Sequence, residues 1–190
     1  MRTFIAIELP EPIKNSLAKL INMLKETGAD VKWVAPLNIH LTLKFLGERD
    51  DKKVERISEI LDEVAKVHTA LQIQINALGA FPNLNSPRVI WVGIDQGDIE
   101  TKSIFKDLED LICKVGIPKE DRAFSSHITI GRTRSAKGLA ELTQEITSLN
   151  DSIGRENLNF TAGSITLFKS TLTPKGPIYD VLKTVNLTTT

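Results

Sequence analysis

The sequence predicts a fold of mixed helices and strands laid out as two like halves, and three observations predict it. Helical and strand-like hydrophobic periodicities alternate along the chain. The order strand, helix, strand, helix, strand occurs twice. The middle strand of each half carries the same frame, His-apolar-Thr-apolar, as IHLTL at 39–43 and HITIG at 127–131.

In the first half, residues 3–9 form a short apolar run rich in strand formers, and Pro10 and Pro12 end it and suit a helix start. Ile13, Leu17, Leu20, Ile21 and Leu24 recur at helical spacing until Gly28 stops them. HLTLKFL follows as a strand. Val54, Ile57, Ile60, Leu61, Val64 and Val67 mark a second helix, and Leu71, Ile73, Ile75 and Ala77 alternate as a strand does.

The second half repeats the plan. Residues 88–94 (RVIWVGI) read as a strand. Ile104, Leu108, Leu111, Ile112 and Val115 form a helix face with the same spacing as the first helix. HITI is the next strand, Leu139, Leu142, Ile146 and Leu149 the next helix, and SITLF at 164–168 the last strand. Segments 79–87 (GAFPNLNSP) and 173–177 (TPKGP) read as loops, the first joining the halves. Outside the His frames the halves share little letter by letter, so the duplication is one of plan. The expectation is a single two-lobed unit over 1–190, with halves of about 1–78 and 88–190.

Bulk properties bound the function. Lys plus Arg equals Asp plus Glu, so the net charge is zero. That argues against a protein that coats nucleic acid, which needs many cations on phosphates, but leaves room for one that grips a strand end. The one cysteine, Cys113, permits no intrachain disulfide and suits a reducing compartment. Pro10 comes too early for a signal peptide, and no apolar run approaches the roughly 20 residues of a membrane span. A cytoplasmic monomer away from membranes is expected.

The frames carry the chemistry. Alternate side chains of a strand point to opposite faces. His40 and Thr42 therefore share one face and Leu41 and Leu43 the other; His127 and Thr129 likewise oppose Ile128 and Ile130. Two such strands can bring two imidazoles and two hydroxyls to one cleft. With an ordinary pKa of about 6.5, one ring can be neutral and act as a base while the other is protonated and acts as an acid. Threonine hydroxyls donate to phosphate oxygens. This equipment suits in-line attack at phosphorus without a metal, and a 2',3'-cyclic phosphate in particular. One histidine deprotonates water and the other protonates the departing ribose oxygen; the residues alone do not say which. A lone His on a strand is ordinarily a packed or solvated residue, and Thr is common in strands; two matched frames using two of three histidines weigh against chance. Zinc is the rival ligand, but no Asp, Glu or Cys stands at a spacing that completes a shell, so no metal and no cofactor is expected.

At these residues the chain resembles the two-histidine phosphoesterase superfamily, and its flanks resemble the RNA 2',3'-cyclic phosphodiesterase branch, the LigT-type proteins also described as RNA 2'-5' ligases. RTFIAIELP, WVAPLNIHLTLKFLGE, RVIWVGI, HITIGR and ITLFKSTLTPKGPIY carry the resemblance through the whole chain. One departure is Ser126, where the family often has Pro. The resemblance implies a bilobed α+β fold, two mainly antiparallel sheets around a central cleft with helices outside. It implies hydrolysis of RNA 2',3'-cyclic phosphate ends, tRNA halves or other cleaved RNA, to 2'-phosphomonoesters. By carry-over His40 is the proton donor and His127 the proton acceptor, Thr42 and Thr129 hold the phosphate, and Arg132 contacts a phosphate with a fork suited to it.

Other readings stay open. Ligation to a 2'-5' bond is the reverse chemistry in the same cleft; a cyclic phosphate on ADP-ribose or a nucleotide is another substrate; an inactive RNA-end binder would need no proton-transfer pair. Lys114, Lys119, Arg122, Arg132, Arg134 and Lys137 read as an RNA path, and all of them except Arg132 read equally as a solvated surface. Phe45, on the face of Leu41 and Leu43, is expected in the core; Phe81 and Phe124 are candidates to stack on a base, Phe81 the better placed. His68 and Cys113 are assigned no role.

Overall fold

A computed structural model describes residues 1–174 and 176–189. Thirteen elements follow one another: β1 (Arg2–Glu8), α1 (Glu11–Lys25), β2 (Val31–Trp33), β3 (His40–Glu48), α2 (Asp51–Ala65), β4 (Leu71–Phe81), β5 (Val89–Ile94), α3 (Asp98–Ile112), β6 (His127–Thr133), α4 (Leu139–Ile153), β7 (Leu158–Ala162), β8 (Ser164–Thr173) and β9 (Gly176–Asn186). One-turn 3-10 helices stand at Pro36–Asn38 and Cys113–Val115. The fold is α+β, as expected. The strands form two antiparallel sheets, ordered β3-β1-β8-β9 and β2-β6-β5-β4-β7.

The two sheets interlock. The first two expected strands of the first half, β1 and β3, pair with each other, and β5 and β6 do the same in the second. The third strand of each half crosses over. β4 pairs with β5, and β8 pairs with β1. Neither sheet is complete without a strand from the far part of the sequence. The helices mix the same way, α1 packing with α4 and α2 with α3.

The helix faces read from the sequence are the buried ones. Ile13, Leu17, Leu20, Ile21 and Leu24 of α1 join Ile57, Leu61, Ile104, Leu108, Leu142 and Ile146 in one continuous core with the inward residues of both sheets. Burying a large aliphatic side chain stabilises by about 1.5–3 kcal/mol, so this shared core binds the lobes. A smaller cluster, Phe4, Ala6 and Phe168 with Tyr179 against it, covers the other face of β1.

The structure corrects several boundaries. Gly79, Ala80 and Phe81 belong to β4, so the connection between the halves is residues 82–88. Arg88 lies outside β5, although its amide donates to the Phe81 carbonyl at 2.7 Å. Val67 and Val115 lie beyond the ends of α2 and α3. Of the expected loop 173–177, Thr173 ends β8 and Gly176 and Pro177 open β9; Lys175 lies outside the described residues. β2, β7 and β9 are strands that the sequence reading lacked.

Candidate active site

His40 begins β3, at the edge of the four-stranded sheet. Its Nδ1 lies 2.7 Å from the carbonyl oxygen of Asn38, in the 3-10 turn just before the strand. A carbonyl only accepts, so Nδ1 carries the proton and Nε2 is the nitrogen free to exchange one. Asn38 is itself tied down, its side-chain amide donating to the Pro177 carbonyl at 2.8 Å. The ring packs 4.9 Å from that of Phe4 and edge-on to Tyr179 at 5.4 Å, between centroids.

His127 begins β6 in the other sheet and repeats the arrangement. Its Nδ1 donates to the carbonyl of Ser125, again two residues back and again at 2.7 Å. The Phe81 ring stands perpendicular to it, 5.0 Å away, and leans on Trp91 at 5.1 Å. The Trp91 indole lies across Gly79 and Gly93. A Cβ at Gly79 would sit 2.6 Å from the indole, closer than atoms can pack, so this strand end needs glycine there. Phe81 is thus a strand residue fixed beside His127.

Strand alternation puts Thr42 and Thr129 on the His faces, and both are half-buried. It then breaks, at the same place in both strands. The β1–β3 register skips Leu43, and the β5–β6 register skips Ile130, each three residues after its histidine. A bulge adds a residue and shifts the phase of everything beyond it. Lys44 and Gly131 are consequently buried, while Phe45 and Arg132, five residues after each His, emerge on the polar side. Phe45 is 59% exposed, 6.2 Å from Phe4, and not in the core. Arg132 reaches the cleft by the same slip. Buried Lys44 meets the Glu109 carboxylate of α3 and donates to the Pro118 carbonyl at 3.2 Å, while Glu109 accepts from the Glu120 amide at 2.7 Å.

A cleft of about 740 Å³ opens beside His40, lined also by Trp33, Arg132, Phe168 and Tyr179. Among the described residues Lys14, Lys32 and Arg132 supply its Lys and Arg charges and Glu8 its one carboxylate. Burial pushes the His40 pKa down; the bond to Asn38 opposes this, and the Lys14 charge adds to the depression. Burial also lowers His127, opposed by the bond to Ser125 and helped by Arg132. Burial raises the Tyr179 phenol, while Arg132 and then Arg2 pull it down. Arg132 thus acts electrostatically on both His127 and Tyr179, the neighbour of His40.

Of the six cations between 114 and 137, only Arg132 lines this cleft. Lys119 is spent on Asp110. Phe124 stacks on Phe105, 4.3 Å away. His68 bonds Asp107 at 2.7 Å, and Cys113 is a half-buried thiol. Among the described residues no three His, Cys, Asp or Glu side chains gather as metal ligands. No helix among them is long and apolar enough to cross a membrane. Lys14, Lys32, Trp33, Asn38 and Tyr179 were missed by sequence reasoning, although Trp33, Asn38 and Tyr179 stood in stretches that carried the resemblance.

Each of the two interlocked antiparallel sheets thus opens a strand on an imidazole whose Nδ1 is tied back to a carbonyl two residues earlier. The chain belongs to the LigT-like phosphoesterase family, whose description matches residues 7–91 and 93–179. It is 39% identical over 183 residues to an RNA 2',3'-cyclic phosphodiesterase of Methanocaldococcus jannaschii, covering 96% of this chain and 99% of that one. It is 34% identical over 182 residues to a Thermotoga maritima protein of the same name, covering 96% and 93%. Its fold is that of Escherichia coli LigT in a crystal structure complexed with 3'-AMP, with a TM-score of 0.76 at 24% identity over 98% of each chain.

Proposed function

We propose that this protein hydrolyses the 2',3'-cyclic phosphate at an RNA 3' end to a 2'-phosphomonoester, without metal. The names of its relatives support the reaction. The observation that carries the mechanism is the pair of matched hydrogen bonds, Asn38 to His40 and Ser125 to His127. They leave both Nε2 atoms as the working nitrogens and make the neutral rings bases with a fixed tautomer.

The cleft supports one order of roles. In-line displacement puts the attacking water opposite the departing oxygen. That oxygen belongs to the ribose, and the ribose carries the RNA. The large cavity lies beside His40. RNA therefore occupies the His40 side, and water attacks from the side of His127. His127, its pKa lowered by burial and by Arg132, is neutral and takes the proton of water. The water oxygen bonds to phosphorus as the P–O3' bond breaks, and His40 delivers its proton to O3'. Thr42, Thr129 and Arg132 donate to the phosphate oxygens. His40 is depressed in the free protein, and the arriving phosphate anion restores its proton.

One chain carries both histidines, so the reading is of a monomer acting on RNA ends, tRNA halves among them, in the cytoplasm. Ligation to a 2'-5' bond is the same ring opening with a 5' hydroxyl in place of water, and needs two ends held together against water. The test is incubation of a 2',3'-cyclic mononucleotide and a short oligonucleotide bearing the same end, with EDTA, followed by phosphorus NMR. A 2'-monoester is the expected product. A 3'-monoester refutes the direction of opening, and loss of activity restored by a divalent ion refutes the metal-free mechanism.

A further inference from the structure

We propose that the cleft holds a second nucleotide, 5' of the terminal one, with the phosphate between them gripped by Lys14 and Lys32. The inference rests on the reading above and names the substrate class within it: an RNA strand of at least two nucleotides, in preference to a cyclic mononucleotide.

Three observations converge. The first is an unbalanced charge. Lys32 on β2 stands directly opposite Arg132 on β6, and like charges facing each other across a ladder destabilise the pair. Lys14 joins them on the cleft wall and bears on His40. Among the described residues none of the three has an ion-pair partner. Glu8, the one acid among the described residues of the wall, is engaged by the Thr166 hydroxyl at 3.1 Å. The cyclic phosphate occupies Arg132 and the threonines, which leaves the two lysines facing an anion beyond it.

The second is direction. A 2',3'-cyclic phosphate lies at a 3' end, so the remaining chain leaves the terminal ribose through its 5' oxygen. The ribose is on the His40 side, which is where Lys14 and Lys32 line the cleft. The next phosphate along the strand is the anion at hand.

The third is an apolar lip. Leu37, Leu172, Ile178 and Val181 all line this cleft while remaining exposed, Leu37 by 82%. Such a surface beside cations suits a strand whose bases present apolar faces and whose backbone is anionic. Trp33 adds an aromatic face, held flat against Gly131, where a Cβ would meet it at 2.8 Å.

The experiment compares adenosine 2',3'-cyclic phosphate with the dinucleotide ApA bearing the same cyclic end, by kcat/KM in low salt. Affinities for the 2'-phosphorylated products are measured by calorimetry, so the subsite is read even in the absence of turnover. The dinucleotide is expected to be favoured roughly five- to tenfold in both measurements, in line with one charge-assisted phosphate contact at a wet site. In the Lys14→Gln/Lys32→Gln protein that ratio falls towards one, and in Lys14→Arg/Lys32→Arg it is retained. Raising the salt shrinks the ratio in the wild type and in the double Arg protein, and leaves that of the double Gln protein unchanged. Equal values for the two wild-type ligands, or a preference that survives the double Gln substitution, overturns the subsite. Absence of hydrolysis with the calorimetric ratio intact overturns the proposed reaction and leaves the subsite standing.

Discussion

Phe45 and Arg132 occupy the same place in two strands: each lies five residues after a histidine, beyond a bulge, on the polar side of its sheet. One strand delivers an aromatic ring there and the other a guanidinium. Regular alternation would have sent both side chains into the apolar interior, where a guanidinium without a partner costs several kcal/mol. The bulge in β6 is therefore what makes Arg132 available to a phosphate. Arg132→Ala should raise KM more than it lowers kcat if its contact is equal in ground and transition states. Steady-state kinetics check this; a fall in kcat at constant KM would assign the guanidinium to developing charge instead.

Replacing His40 or His127 by Ala should lower turnover roughly 10²–10⁴-fold. The double variant should be little worse than the poorer single one, because the two act as a unit. The pH profile of kcat/KM separates them. His127→Ala should lose the acidic limb, where the base must shed its proton, and His40→Ala the basic limb, where the acid must keep one. Limbs lost the other way round would exchange donor and acceptor.

Phosphate binding should take up a proton. Both imidazoles sit below their ordinary pKa in the free protein, burial being the larger cause in each. An anion at Nε2 favours the charged form, so near neutrality the bound state holds more protons than the free one. Affinity for a 2'-nucleotide should weaken as pH rises through neutrality. Calorimetry in buffers of different ionisation enthalpy measures the uptake directly, and a binding heat independent of buffer at pH 7 would contradict it.

The same shifts set a stability slope. A histidine whose folded pKa is depressed favours the folded state fully above its unfolded value of about 6.5, and that contribution is lost as pH falls towards the folded pKa. Denaturant unfolding should therefore show a fall between pH 7 and 5 that is smaller in His40→Asn/His127→Asn than in the wild type. Equal slopes would mean that the two rings titrate normally in the empty site.

The buried pair of Lys44 and Glu109 joins β3 to α3 directly behind the first bulge. Lys44→Met should cost about 3–5 kcal/mol, because it strands a buried carboxylate. Adding Glu109→Leu should recover most of that. Chemical denaturation of the three proteins tests it, and a double variant no more stable than the single would show that the bonds to Pro118 and Glu120 hold the segment instead.

Much of this was legible in the sequence because it depends on periodicity. The buried faces of α1 and α2 were read from apolar spacing alone, and β1, β3, β5 and β6 from short runs of strand formers. β2 has three residues, too few for a period to show. β9 is an edge strand exposed on both faces for most of its length, so it carries no alternation. The GAF stretch at 79–81 looked like a loop because Gly and Ala are weak strand formers; within β4 the glycine at 79 leaves room for the Trp91 indole. Phe45 was misplaced because a bulge changes phase without changing composition.

The sequence by itself determined that His40 shares a strand face with Thr42, and His127 with Thr129. A period of two leaves His and Thr no other arrangement against Leu and Ile, and the two frames announce a pair. Only the tertiary structure decided what surrounds that pair. The exchange of β4 and β8 between the halves, the two bulges, the carbonyls that hold each Nδ1, and the approach of Lys32 to Arg132 all depend on contacts between residues far apart in the chain. Local spacing carries no record of such contacts. They follow from closing one core around both sheets, where register and twist settle together.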